Sequence, residues 1–136
     1  MLKAIPRQSV ELSFGDIRSL IGGFFSQPAS CGDPVRDFES RMAEYLGVRH
    51  AIGFGSQRTG MYAVLKALHL ISQDEVIVPA YTFFSVPATV LLAGLKPVFA
   101  DVDSSTWNLG PEKVRAAITA NTRAIIVSHL NGCPAD

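Results

Sequence analysis

Four polar side chains stand in a row where a short apolar run meets an apolar helix pattern: Ser56, Gln57, Arg58 and Thr59. Ahead of them lies Ala51–Phe54, closed by Gly55. Behind them Met61, Val64, Leu65 and Leu68 recur at the i, i+3, i+4, i+7 spacing of an amphipathic helix. The order is strand, tight turn, helix. Gly55 suits a backbone conformation closed to residues with a Cβ, and Ser56 suits the cap of the first helical turn. A helix start carries free N–H groups and roughly half a positive charge, so it can take an anion, phosphate above all. The spacing is neither the Rossmann glycine fingerprint nor a P-loop, which would need a lysine after its last glycine. Residue types alone leave two readings open, a phosphate cradle and an ordinary capped helix.

Stepping outward, the chain is organised to bring more such groups to one edge. Asp16 to Phe25 places Ile17, Leu20, Ile21 and Phe24 on one helical face. Gln27 to Asp33 is rich in turn formers. Asp33 and Pro34 then open a helix as cap and first residue, with Val35, Phe38, Met42 and Leu46 inward and Gly47 ending it. Asp74 to Pro79 (DEVIVP) has the continuous apolar character of a strand buried in a parallel sheet. A helix follows from Ser85 to Ala93, ended by Gly94, with Pro87 tolerated in its first turn. Lys96–Ala100 is a third strand, and Pro111–Ala120 a helix with Val114, Ala117 and Ile118 inward. Arg123 to Ser128 is a fourth strand. Strands alternating with helices through short connections predict βαβ units and a parallel sheet. Ligands of such sheets sit beyond the carboxyl ends of the strands. Three exits meet there: Gly55–Thr59 as an anion cradle, Tyr81–Ser85 as an aromatic platform, and His129–Asn131 with an imidazole. A planar anionic cofactor suits that set.

Composition narrows the classes. The 136 residues carry 12 basic and 12 acidic side chains, a net charge of zero, which offers nothing to nucleic acid or an anionic membrane. Hydrophobic residues make up 48% and charged ones only 18%, so part of the surface is expected to be covered by something else. No apolar run reaches membrane-spanning length, and Met1–Gln8 lacks the layout of a signal peptide. Cys31 and Cys133 have no metal-type spacing and read as reduced thiols of a cytoplasmic protein.

From Phe38 to Asp136 the chain resembles the DegT/DnrJ/EryC1/StrS family, pyridoxal-phosphate-dependent aminotransferases of keto-sugars. FESRMAEYLGVRHAIGFGS is similar to the family's entry to its phosphate turn. DEVIVPAYTFFSVPATVLLAGLKPVFADVD is similar to its second strand and cofactor-stacking loop, and PEKVRAAITANTRAIIVSHLNGCPAD to its third helix and fourth strand. The resemblance implies an α/β fold, three-layer α/β/α with a mostly parallel sheet, forming the N-terminal part of a fold-type-I large domain. It implies one truncated domain over 1–136, with an N-terminal helix and loop over 1–34 and βαβ units over 35–136. It further implies pyridoxal 5'-phosphate as cofactor, a nucleotide-linked keto-sugar and glutamate as substrates, and a cytoplasmic homodimer with active sites at its interface.

Carried over by position, Ser56 and the backbone through Gln57, Arg58 and Thr59 hold the cofactor phosphate, and Phe83 stacks on its ring. His129 ends a strand at the same edge and could face the same pocket, though a satisfied, partly buried histidine suits that place equally. Arg58 could equally be a solvated first-turn side chain, Phe83 a core aromatic, and Tyr81 is read as structural. Asp101 and Asp103 read as a turn, not as an acid–base pair. Where the family commonly has Ser-Gly-Thr, this chain has Ser56-Gln57-Arg58; a branch of the family carries Gly-Arg at the second and third of these places. In the family the Schiff-base lysine and the aspartate on the ring nitrogen come later than the match ends, and Lys3, Lys66, Lys96 and Lys113 do not qualify. The expectation is therefore no catalytic residue in this chain and an inactive fragment. Two alternatives remain, a sugar dehydratase of the same family with a histidine in place of the lysine, and a non-catalytic truncated product acting as a binding or pairing module. The family's strand order also implies that Ala51–Phe54 is not a neighbour of the other three strands.

Overall fold

The computed structural model describes residues 13–26 and 33–136. The loop expected over Gln27–Asp33 and Cys31 therefore lie almost wholly outside the described residues. The chain divides into two compact units, one through Gly53 and one from Phe54 to Asp136.

The first unit holds α1 (Phe14–Ser26) and α2 (Asp33–Leu46). α1 begins two residues earlier than the apolar pattern suggests because Ser13 and Asp16 form a reciprocal box. The Ser13 amide donates to Asp16 Oδ2 at 2.7 Å, and the Asp16 amide to Ser13 Oγ at 3.2 Å. α2 ends where expected. Gly47 takes φ +65°, and the amides of Gly47 and Val48 return to Glu44 O and Ala43 O. Its expected inward face differs: Val35, Phe38 and Leu46 are exposed, and Ala43 is the buried position. The stretch Ala51–Phe54 is not a strand. No described strand pairs with it, and the Gly53 amide donates instead to Glu39 Oε1 at 2.7 Å.

The second unit is built on three parallel strands, β1 (Glu75–Pro79), β2 (Lys96–Ala100) and β3 (Thr122–Ile125), in the order β2-β1-β3. β1 is central and buried at every residue, which is why its sequence is apolar without alternation. Glu75 pairs with Lys96 and Pro79 with Ala100 on one side; Val76 and Ile77 pair with Ala124 and Ile125 on the other. The pleat of β1 then divides the core into two layers. Val76 and Val78 pack with Leu65 of α3 (Gln57–Ala67) and with Val86 and Val90 of α4 (Ser85–Leu92). Ile77 points the other way, to Ala100 and Leu109, with Val114 and Ala117 of α5 (Pro111–Ala117) against them. Helices on both faces of a parallel sheet make the three-layer α/β/α arrangement.

In this unit two boundaries and one helix face differ from expectation, the boundaries for tertiary reasons. β3 stops at Ile125, although the Ile126 amide still donates to Ile77 O at 2.8 Å. The next donor in that parallel ladder is the amide of Pro79, which has no hydrogen. α5 stops at Ala117 because Ile118 turns extended, and the Thr119 hydroxyl reaches Glu75 Oε2 at 2.5 Å. Ile118 is consequently 54% exposed, not inward. α3 is rotated from its expected face: Leu65 is buried with Met61 and Tyr62 against it, while Val64 and Leu68 are exposed. Among the described residues no helix is long and apolar enough to cross a membrane.

Candidate functional site

The site grows from the start of α3. Ser56 is extended (φ −158°, ψ 155°) and is the N-cap: its Oγ accepts the Thr59 amide at 3.2 Å and lies 3.0 Å from Thr59 Oγ1. The first intrahelical bond runs from the Gly60 amide to Ser56 O. The amides of Gln57 and Arg58 precede it, and a helix has no internal acceptor for them. Gly55 does not adopt the left-handed backbone expected of it, and a Cβ there would meet open space. The glycine under constraint is Gly60, where a Cβ would come 3.1 Å from the Phe54 ring. So the turn is shaped by Ser56 and Gly60.

A cavity of about 430 Å³ opens between this turn and α4, within the size range of small-molecule sites. Ser56, Arg58, Thr59 and Tyr62 line it from α3; Phe84, Ser85 and Thr89 are among its α4 walls. The polar end thus combines two hydroxyls, a helix start and a guanidinium, which is donor chemistry for an oxyanion. No ion pair engages Arg58 among the described residues.

The other sequence-derived site residues are placed as follows. Gln57 is exposed and does not line the cavity. Phe83 is 65% exposed and off the cavity; its ring lies 4.6 Å from that of Phe84, which does line it. His129 is exposed at the exit of β3, and its Nδ1 accepts the Ala135 amide at 3.0 Å. That bond puts the proton of the neutral ring on Nε2. Across the exits, Thr82 Oγ1 and Ser128 Oγ lie 3.4 Å apart, joining the ends of β1 and β3. Asp103 anchors a turn over residues 104–106, and Asp101 Oδ1 accepts the Val102 amide at 2.9 Å just ahead of it. Asp103 accepts from Ser105 and Thr106, and these bonds, the Ser105 hydroxyl first, hold its carboxyl down at about 2.

The lysines stand elsewhere. Lys96 is at the amino end of β2, where its Nζ lies 2.8 Å from Glu75 Oε1; Lys66 is in the last turn of α3, and Lys113 is on α5. Sequence reasoning overlooked the cavity-lining residues Tyr62 and Thr89, which read as core positions of apolar helices with no local signal to mark them as walls; Phe84 belongs to the expected Tyr81–Ser85 platform and lines the cavity where Phe83 does not.

The unit is thus a parallel α/β sheet with a cavity at a helix start whose hydroxyls and guanidinium offer donors to an anion. The profile of the DegT/DnrJ/EryC1/StrS aminotransferase family matches residues 22–136, and the chain belongs to that family. It is 38% identical over 138 aligned residues to a UDP-N-acetyl-3-dehydro-alpha-D-glucosamine 3-aminotransferase of Acidithiobacillus ferrooxidans, covering 98% of this chain and 37% of that one. The aminotransferase from Psychrobacter cryohalolentis superposes with a TM-score of 0.85 at 31% identity, over 92% of this chain and 32% of that one. A GDP-4-keto-6-deoxymannose-3-dehydratase with a trapped PLP-glutamate geminal diamine gives 0.85 at 26%, over 96% and 36%. The fold is that of fold-type-I PLP aminotransferases. The chain spans between 28% and 37% of the length of the first curated relatives it matches.

Proposed function

We propose that this chain carries the phosphate-holding part of a pyridoxal-phosphate-dependent aminotransferase that acts on a nucleotide-linked keto-sugar, with glutamate as amino donor, in the cytoplasm. The observation that carries the reading is the cavity at the start of α3, where Ser56, Arg58 and Thr59 converge. The donor set fits the group. A phosphate takes hydroxyls, free helix amides and a guanidinium, and Tyr62 and Phe84 offer apolar surface to a ring.

When bound, pyridoxal phosphate supplies a carbonyl to take up an amino group and a ring that draws off electrons. The residues of this chain bind and orient. The Ser56 and Thr59 hydroxyls donate to the phosphate oxygens while Ser56 Oγ still accepts the Thr59 amide and keeps the helix capped, and Arg58 neutralises charge. Phe83 is assigned to the ring by the family position, as Gln57 is to the phosphate turn, and His129 offers Nε2–H as a donor at the same edge. The attaching lysine is assigned outside the lysines described, since Lys66, Lys96 and Lys113 stand away from the cavity, so the chain alone is expected not to transaminate. A homodimer is the expected working form.

A second reading, elimination of water from the sugar in place of amination, is favoured only by the likeness to the dehydratase. The first reading is tested by titrating the purified chain with pyridoxal phosphate, with inorganic phosphate as competitor. Saturable binding displaced by phosphate, with no stoichiometric lysine adduct after borohydride, is expected. Absence of saturable binding, or a single fixed lysine at Lys66 or Lys96, would refute it. Amination and elimination are told apart by whether the sugar product gains nitrogen or loses water.

A further inference from the structure

The connection from β2 to α5 is a closed knot. Val102 bridges Leu109, the Asp103 amide donates to Asn108 O at 2.9 Å, and the Trp107 amide to Asp103 O at 2.8 Å. Inside it the Asp103 carboxylate accepts the amides of Ser105 and Thr106, at 2.9 and 3.0 Å, and both hydroxyls. The knot holds Trp107 at φ +61°, a left-handed backbone that a large side chain adopts only under constraint. From there the Trp107 ring meets Tyr81, in the exit of β1, with centroids 5.0 Å apart and planes tilted by 59°.

The next residue grips a different strand. Asn108 is only 3% exposed, and both ends of its amide are used: Nδ2 donates to Cys133 O at 2.9 Å, and Oδ1 accepts the Leu130 amide at 2.9 Å. The segment it holds is the exit of β3, which turns through left-handed Asn131 and Gly132 and carries His129. Two consecutive residues of the β2 exit therefore bind the exits of the other two strands, β1 and β3.

We propose that Trp107 and Asn108 are positioning residues, a clamp that fixes the Tyr81–Phe84 and His129–Cys133 exits as one rigid edge for the ligand. The part concerning a ligand rests on the function proposed above; the clamp itself does not. A buried amide with both ends bonded resists replacement because each orphaned partner keeps its desolvation penalty. Asn108→Ala orphans both partners. Asn108→Asp keeps an acceptor for Leu130 and sets an anion against the Cys133 carbonyl.

The test is amide hydrogen exchange on the purified chain and both variants, beside a pyridoxal phosphate titration. In Asn108→Ala the Leu130 amide is expected to exchange about tenfold faster, the scale of one lost hydrogen bond, while the Ile77 and Val78 amides of β1 stay as protected as before. In Asn108→Asp the Leu130 amide stays protected, and in both variants affinity for pyridoxal phosphate falls severalfold. The emission of Trp107, the only tryptophan, is expected to hold its position in both, since its own grip on Tyr81 is untouched. Unchanged Leu130 exchange in Asn108→Ala would overturn the clamp. So would a matching rise at Ile77 in both variants, because Asn108 would then be a part of the core and not a positioning device. If the parent chain fails to bind pyridoxal phosphate, the functional reading fails alone, and the exchange pattern still decides the clamp.

Discussion

Ser56 has two duties that a single pair of substitutions can separate. Its Oγ caps α3 through the Thr59 amide, and it lines the cavity where an anion is expected. Ser56→Ala removes the cap oxygen, which costs about 1 kcal/mol of stability at such positions. Ser56→Asp restores the cap, since aspartate caps as well as serine and its charge suits the helix dipole. Stability should therefore return close to that of the parent chain. The same carboxylate, however, sits in the anion site. Two unit charges about 4 Å apart repel by about 4 kcal/mol at the effective dielectric of a protein surface. The cavity opens to solvent and Ser56 is half-buried, so about half of that is expected to survive, a loss of roughly thirtyfold in affinity. The assay is paired. Urea unfolding ranks stability as parent, Ser56→Asp, then Ser56→Ala, whereas pyridoxal phosphate titration ranks affinity as parent, Ser56→Ala, then Ser56→Asp. Affinity in Ser56→Asp equal to that of the parent would refute the anion site, whatever the stability showed.

Further outcomes are expected from the same geometry. If Arg58 meets the phosphate, Arg58→Ala should weaken pyridoxal phosphate binding by roughly 1.5–3 kcal/mol, the scale of a hydrogen bond to a charged group; unchanged affinity would return it to the solvated surface. Ile77 of β1, fully buried with Ala100 and Leu109 under α5, should cost about 2–5 kcal/mol as Ile77→Ala and about 0.5–1.5 as Ile77→Val in urea unfolding, a near-equal pair being the adverse result. Acid should act on Glu75, whose carboxyl is held below its ordinary 4.5, first by the Lys96 ammonium and then by the Thr119 hydroxyl. A depressed acid stabilises the fold above its unfolded value and loses that contribution as pH falls, so stability should decline below pH 4.5 and do so less steeply in Glu75→Gln. Finally, Phe83, Phe84, Leu91, Leu92 and Phe99 are large apolar side chains left exposed, which predicts self-association in light scattering at low micromolar concentration; a compact monomer would contradict it.

What could be read from the sequence follows how local each cause is. β1 was legible as DEVIVP because a strand buried on both faces needs only a short apolar run. The ends of α2 and α4 were legible because Gly47 and Gly94 take left-handed backbones at those points. The cap at Ser56 was legible for the same reason: its partner, Thr59, is three residues away. Apart from the early start of α1, set by Ser13 and Asp16 three residues apart, the failures at the sheet have distant causes. β3 ends where it does because of a missing hydrogen on Pro79, in another strand. α5 ends early because Thr119 finds Glu75, 44 residues away in sequence. Ala51–Phe54 has the apolar content of a strand but no described strand paired with it, and no composition can supply one.

The same distinction explains why the edge of the site was only half visible. Ser56, Arg58 and Thr59 announce themselves through the chemistry of a helix start, whereas Phe84 differs from Phe83 only by which way one turn of chain faces. Asn108 announces nothing. Between a tryptophan and an apolar residue ahead of Gly110-Pro111 it reads as an ordinary turn residue. Its partners lie 22 and 25 residues downstream, in a loop whose shape depends on left-handed Asn131 and Gly132. Ligand-binding groups can therefore be found by their own chemistry, while the residues that hold them in place are defined by what they touch. In this chain the cradle belongs to the first kind and the clamp to the second, so a substitution at Asn108 should disturb the site while leaving every residue expected to touch the ligand unchanged.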